Sequence, residues 1–232
     1  MLRGPQNLPE RVLLVRERMA QAAARAGRNA QSVTLLAVTK AQPPEVVRAA
    51  VACGLGEFGE SYLQEALGKL DALRDLSLTW HFVGRIQANK TRPIAERFAW
   101  VHAVDRLKIA ARLSEQRPHH APPLNVCLQV RLGDEAGKGG VAPGELTVLA
   151  REVARLPRLR LRGLMCIPPE ETDPERQHAW FRELRRLFAA LNGGGASLDA
   201  LSMGMSGDFE AAIEEGATIV RVGTALFGAR PS

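Results

Sequence analysis

Hydrophobic positions along the chain fall into two alternating periods. The first period is helical: Leu8, Val12, Val15, Met19 and Ala22 form one stripe. Asn7 caps this helix, Pro9 lies in its first turn, Glu10 completes a capping box and Gly27 stops it. Thr34-Leu35-Leu36-Ala37-Val38-Thr39-Lys40 follows, a short apolar run without polar alternation that ends in a lysine. Such a run predicts a parallel strand covered on both faces. Pro43 and Pro44 open a second helix through Val46, Val47 and Ala50, ended by Gly54.

The alternation continues. A strand near 57–59 leads into a helix over 61–73, a strand over 80–84 into a helix over 90–98, and a strand over 100–103 into a helix capped by Asp105. Residues 124–132 predict the fifth and longest strand, followed by a glycine-rich loop at 133–140. After a sixth strand at 161–166, Asp173 and Pro174 start an amphipathic helix with Trp180, Phe181, Leu184, Leu187, Phe188 and Leu191 on one face, ended by Gly193-Gly194-Gly195. Two last strands, 198–202 and 218–222, flank a helix at 209–214. About eight strands alternating with helices is the count of a (β/α)8 TIM-type barrel, with a doubly wound open sheet as the competing α/β fold. No linker or repeat divides the chain, so residues 1–232 are expected to form a single domain. The barrel makes a demand that the open sheet does not. Its last strand lies beside its first, which brings Arg221-Val222-Gly223-Thr224 next to Lys40.

Composition narrows the function classes. At 46% hydrophobic and 24% charged, the 232 residues are ordinary for a globular protein. No apolar run is long enough to span a membrane and no signal-peptide core follows Met1, so a cytoplasmic location is expected. Cys53, Cys127 and Cys166 are far apart and form no ligand cluster, which predicts buried thiols and no metal site. The net charge of +6 is spread along the chain without aromatic interleaving, which predicts attraction of small anions and no specific nucleic-acid binding. No long exposed apolar helix calls for a partner copy, so a monomer is the default.

The candidate chemistry lies at strand ends. A lysine at the carboxyl end of a buried parallel strand occupies the ligand end of an α/β fold, where desolvation lowers an amine's pKa and suits it to Schiff-base formation. Ser202-Met203-Gly204-Met205-Ser206-Gly207-Asp208 after the seventh strand, and Arg221-Val222-Gly223-Thr224 after the eighth, are small-residue turns that offer backbone N–H groups to a phosphate. An aldehyde-reactive amine beside a phosphate cradle points to pyridoxal 5′-phosphate (PLP). A class I aldolase-like attack on a sugar phosphate uses the same groups.

Six stretches then carry a resemblance: Leu35-Leu36-Ala37-Val38-Thr39-Lys40; Phe58-Gly59-Glu60; Trp80-His81-Phe82-Val83-Gly84 with Gln87-Ala88-Asn89-Lys90; Leu161-Arg162-Gly163-Leu164-Met165; Leu201-Ser202-Met203-Gly204-Met205-Ser206; and Val220-Arg221-Val222-Gly223-Thr224 into Phe227-Gly228. In this order, over nearly the whole chain, they resemble the YggS-type pyridoxal phosphate homeostasis proteins, relatives of the alanine racemase N-terminal barrel. The resemblance implies a Schiff base on Lys40, phosphate contacts from Ser206, Gly207, Gly223 and Thr224, and Arg221 at the pyridine nitrogen or behind the phosphate. It also implies cofactor contacts from Ser61 and Met165. An arginine at the ring nitrogen keeps it unprotonated, a poor arrangement for carbanion chemistry. The chain departs from the family at Ser61, where asparagine is usual, and at Arg85, where a smaller or imidazole residue is usual. Lys138 matches a lysine of the family's loop.

His81 reads as a satisfied core histidine, His119-His120 as a solvated loop, and Glu170-Glu171-Thr172-Asp173 as an acidic connector and helix cap. A racemase also needs a second acid/base group, which related enzymes take from a further domain, and the chain ends soon after the eighth strand. The expected function is therefore that of a PLP-binding homeostasis protein that buffers the cofactor or hands it to PLP-dependent apo-enzymes, without strong catalysis. The alternative is a PLP-dependent amino-acid racemase of fold type III.

Overall fold

The structure, a computed structural model, describes residues 7–133 and 139–228. Eight strands, β1 Thr34–Val38, β2 Glu57–Glu60, β3 Thr79–Phe82, β4 Trp100–Val104, β5 Leu124–Val130, β6 Leu159–Cys166, β7 Ala200–Ser202 and β8 Ile219–Val222, pair in chain order into a closed barrel. Every pairing is parallel. Closure is made by β8 against β1, with Leu36 opposite Arg221 and Ala37 opposite Val222. The open sheet is thereby excluded.

The outer layer is α1 Leu8–Arg25, α2 Pro44–Ala52, α3 Leu63–Ala72, α4 Thr91–Arg97, α5 Leu107–Gln116, α6 Leu146–Ala154, α7 Pro174–Gly193, α8 Phe209–Glu214 and α9 Thr224–Phe227. Asn7 caps α1 by accepting the Glu10 N–H, and Val12, Val15, Met19 and Ala22 are buried on the anticipated stripe. Because α1 precedes β1, it packs on the closing seam. Arg18 makes a two-pronged pair with Glu210 of α8 at 2.6 and 2.9 Å, and Arg28 donates to the carbonyls of Ile213 and Ala217. Outward-facing strand residues and inward helix faces share one apolar core, with Phe58, Phe82, Phe98, Phe181 and Phe209 among its fully buried side chains.

Three expectations need correction. The longest strand is β6, with eight residues against seven in β5. Asp105 does not cap α5: Arg106 holds the cap position, and the Asp105 carboxylate instead accepts from its guanidinium at 2.7 Å. Helix α6 was not anticipated, although Leu146, Leu149, Ala150 and Val153 bury one face at helical spacing. It starts without a side-chain cap, from a short 3-10 turn over Pro143–Glu145, so the only start signals are Pro143 and Glu145 at the end of the glycine-rich stretch.

Candidate ligand site at the carboxyl end of the barrel

Lys40 stands two residues beyond β1, in a turn and not in the strand itself. The next residue, Ala41, has φ +61°, the one positive φ at a non-glycine among the described residues. An alanine held there is strained by roughly 1–2 kcal/mol and persists only where its surroundings fix it. Here they do. The Ala41 N–H donates to Glu65 Oε1 at 2.7 Å, and the Lys69 ammonium donates to the Thr39 carbonyl at 2.5 Å. Thr39 Oγ1 donates to Glu60 Oε1 at 2.6 Å, and Lys69 pairs with Glu60 at 2.7 Å and with Glu65 at 2.5 Å. This buried cluster between the β1–β2 edge and α3 brackets Lys40 on both sides. Desolvation raises the Glu60 carboxyl above its ordinary range, against the opposing hydrogen bonds from Lys69 and Thr39. Glu60 Oε2 is buried without a hydrogen-bond partner, so the cluster depends on Lys69 remaining in place.

Across the seam, the loops after β7 and β8 meet. Gly204 has φ +90°, and a Cβ there would lie 2.5 Å from that of Ala212, so only glycine allows α8 to approach this closely. Asp208 accepts the Met205 N–H at 2.6 Å and closes the turn. Ser206 Oγ accepts N–H groups from Gly223 at 3.3 Å and Ala225 at 3.2 Å, which ties the two loops together. Gly207 opens onto free space, and the backbone of Gly223 runs against Val38.

These parts surround a cavity of about 390 Å³. Lys40, Ser61, Ser206, Gly207, Arg221, Gly223 and Thr224 all line it, with Val38, Val83, Ile167, Met205 and Phe227 as apolar walls. Met165 does not line it. That residue is fully buried in β6, and Ile167, just past the strand end, faces the cavity instead. Gln42 and Glu170 also line the cavity. Glu170 reads from sequence as part of a connector, and its chain position gives no sign that the β6–α7 loop reaches the barrel mouth. Ser61 is held by close backbone packing, since a Cβ on Gly84 would lie 2.1 Å from the Ser61 carbonyl oxygen. Arg85 belongs to a neighbouring cavity with Tyr62 and Lys90, and Lys138 lies outside the described residues. An amine, a hydroxyl beside unshielded glycine backbone, and a guanidinium fit an aldehyde-bearing aromatic phosphate.

Arg221 is nearly fully buried, and its guanidinium is anchored at three points. Nη1 donates to the Ser202 carbonyl at 2.6 Å and to Ser202 Oγ at 2.9 Å, and Nη2 donates to the Cys166 carbonyl at 2.8 Å. From Ser202 the polar contacts continue through the barrel interior. Ser202 Oγ lies 2.7 Å from His102 Nδ1, His102 Nε2 lies 2.9 Å from His81 Nδ1, and His81 Nε2 lies 2.6 Å from Glu57 Oε2. Strands β4 and β7 are not neighbours, so the His102–Ser202 contact must cross the barrel's centre. Desolvation drives His102 well below its ordinary value, assisted by His81 and Arg221, and it lowers His81 against the pull of Glu57. The core reading of His81 is correct in that the ring is buried and bonded. Its connection to Arg221 was not visible, because the contact runs between strands far apart in sequence.

Among the described residues no group of His, Cys, Asp and Glu side chains is arranged to hold a metal ion, and no helix is long and apolar enough to cross a membrane.

Comparison with known proteins places this geometry. Residues 15–231 match the family model "Alanine racemase, N-terminal domain". The chain is 60% identical over 223 residues to the pyridoxal phosphate homeostasis protein of Pseudomonas aeruginosa, covering 96% of each chain. It is 48% identical over 219 residues to that of Escherichia coli K12, covering 93% of this chain and 94% of the relative. Among solved structures, PipY of Synechococcus elongatus with PLP bound superposes with a TM-score of 0.85 at 36% identity, covering 96% of this chain and all of that one. Alanine racemase of Corynebacterium glutamicum, at 20% identity and a TM-score of 0.69, shares the fold. With a closed barrel of the racemase type, and high identity along nearly the whole length, the chain belongs to the pyridoxal phosphate homeostasis protein family.

Proposed function

We propose that this protein binds PLP at the carboxyl end of its barrel and serves intracellular PLP (vitamin B6) homeostasis, buffering the cofactor or delivering it to PLP-dependent apo-enzymes. One observation carries the reading: barrel closure puts the Lys40 turn, the Ser206–Gly207 loop and the Arg221–Thr224 segment around one cavity. PLP bound there supplies an aldehyde that condenses with an amine. Lys40 is the amine, and the Lys69–Glu65 bracket fixes where it is presented. Ser206, Gly207, Gly223 and Thr224 receive the phosphate, Ser61 lies beside the ring, and Arg221 offers donors to the ring nitrogen or the phosphate.

The same lining supports a carrier over a racemase. Racemisation needs a proton donor and acceptor on opposite faces of the substrate. Of the described lining residues only Lys40, Glu170 and Arg221 have ionisable side chains, and a guanidinium does not give up its proton. Glu170 is exposed at the mouth, where it is accessible to an incoming amine. A cytoplasmic monomer fits this role.

Adding PLP to the purified protein is expected to produce a visible absorption band that Lys40→Ala abolishes. The loaded protein should leave D- and L-alanine unconverted and should reactivate an apo-transaminase. Racemisation of alanine dependent on Lys40 would favour the enzyme reading. A band that survives Lys40→Ala would remove the assigned Schiff base.

A further inference from the structure

The polar contacts through the barrel have only one consistent direction. A guanidinium donates and cannot accept, so Ser202 Oγ accepts from Arg221. The single hydroxyl proton of Ser202 must then go to His102 Nδ1, its other neighbour. His102, neutral with Nδ1 accepting, carries its proton on Nε2 and donates it to His81 Nδ1. By the same logic His81 donates from Nε2 to Glu57 Oε2. The order is Arg221 to Ser202 to His102 to His81 to Glu57, one residue each from β8, β7, β4, β3 and β2. Reversing any link would leave the buried Ser202 hydroxyl without an acceptor or set two acceptors, His81 Nε2 and the Glu57 carboxylate, against each other, at a cost of about 1–3 kcal/mol.

A barrel interior is ordinarily filled by branched apolar side chains in layers. Here a layer of it is polar, at a desolvation cost that an apolar core would avoid. The far end is Glu57, whose side chain is 38% exposed and which borders a second cavity of about 400 Å³ at the opposite rim with Thr34 and Arg16. The near end is Arg221, which lines the ligand cavity and whose hydrogen bonds to the described residues all leave from Nη1 and Nη2. His81 also stacks on Trp100, with ring centroids 5.4 Å apart and planes within 5°, which fixes the ring's rotation.

We propose that Ser202, His102, His81 and Glu57 are positioning residues for Arg221: a one-way hydrogen-bond chain that locks the guanidinium so that its unshared N–H groups face the bound ligand. The proposal rests on the PLP reading for its ligand, but the direction of the chain does not.

Two measurements separate these. In the ligand-free protein, imidazole nitrogen-15 NMR should show His81 and His102 both neutral, both protonated on Nε2. Either ring as the Nδ1–H tautomer or as imidazolium at pH 7 would overturn the chain, whatever the protein binds. In the PLP-loaded protein, Ser202→Ala should shift the visible absorption maximum and weaken PLP binding about tenfold, the value of one hydrogen bond to a charged group. Glu57→Leu should move the band in the same direction, although it lies at the opposite rim. Glu57→Gln, which still offers an acceptor oxygen, should restore the wild-type band. An unmoved band in both Ser202→Ala and Glu57→Leu, with the proteins folded and loaded, would overturn the positioning role. If wild type takes up no PLP while the tautomers are as predicted, the cofactor reading fails and the chain stands.

Discussion

The Lys40 turn shows how much a cavity-lining residue owes to neighbours outside the cavity. That turn is held by Lys69, which neutralises the buried Glu60 and binds the Thr39 carbonyl. Lys69→Met would leave that carboxylate buried and unpaired, a loss of about 3–5 kcal/mol in stability by denaturant titration. Adding Glu60→Gln should recover about half of it, because the two sites share one network. A fully additive double variant would contradict the coupling. The cysteines make a simpler residue-scale prediction. Burial pushes the Cys127 and Cys166 thiols up to about 12, whereas Cys53 is partly exposed. Iodoacetamide on the native protein should therefore label Cys53 alone, read by peptide mass, and the other two only after unfolding. That Lys40, Ser206, Gly207, Arg221, Gly223 and Thr224 line one cavity was legible because they sit at strand ends in recognisable motifs. Met165 stands off the cavity by depth and not by face: it is in register with the inward-facing Ser202 and shares the parity of Ile167, which lies just past the strand end and lines the cavity, and sequence alone does not fix how far down β6 the cavity reaches.

At the scale of elements, close backbone approaches decide where the site's loops stand. A Cβ at Gly163 would lie 1.7 Å from the Ala200 carbonyl oxygen, inside the β6–β7 pairing that sets up the Ser202–Ser206 turn. Gly163→Ala should cost about 3 kcal/mol or more in unfolding free energy. Gly84→Ala presses instead on the Ser61 carbonyl, and its effect should appear in PLP affinity as well as in melting temperature. An unchanged affinity would free Ser61 from the ligand wall. Strand and helix order was readable from hydrophobic period, and Asn7 and Asp173 are caps as expected, their side chains accepting the Glu10 and Glu175 N–H groups. Asp105 failed as a cap because an arginine beside it captured the carboxylate. Helix α6 is hard to read because it has no side-chain cap and its Pro143 start lies against the glycine-rich loop.

For the whole molecule, the polar barrel interior predicts a pH dependence. His81 and His102 are held neutral, below the ordinary histidine value, while the unfolded chain protonates near pH 6.5. The unfolded state therefore binds more protons as pH falls below that value, and stability declines toward acid by up to about 1.4 kcal/mol per pH unit for each ring. The raised carboxyls of Glu60 and Asp208 work in the opposite sense, since the folded state takes up protons there first. The contrast that isolates the rings is wild type against His102→Leu between pH 7.5 and 5.5, where the variant should lose less stability on acidification. Equal losses would contradict neutral burial of His102. The closed barrel itself was legible from the strand count and the requirement that the last strand meet the first. The chain across its centre was not, because hydrophobic period reports which face is buried and not which polar groups meet there. The central claim is that Lys40 holds the cofactor, and its most direct test is to load the protein with PLP, reduce it with borohydride and map the labelled peptide. A pyridoxyl label on Lys40 is the predicted result, whereas a label confined to other lysines, or none, would contradict the account.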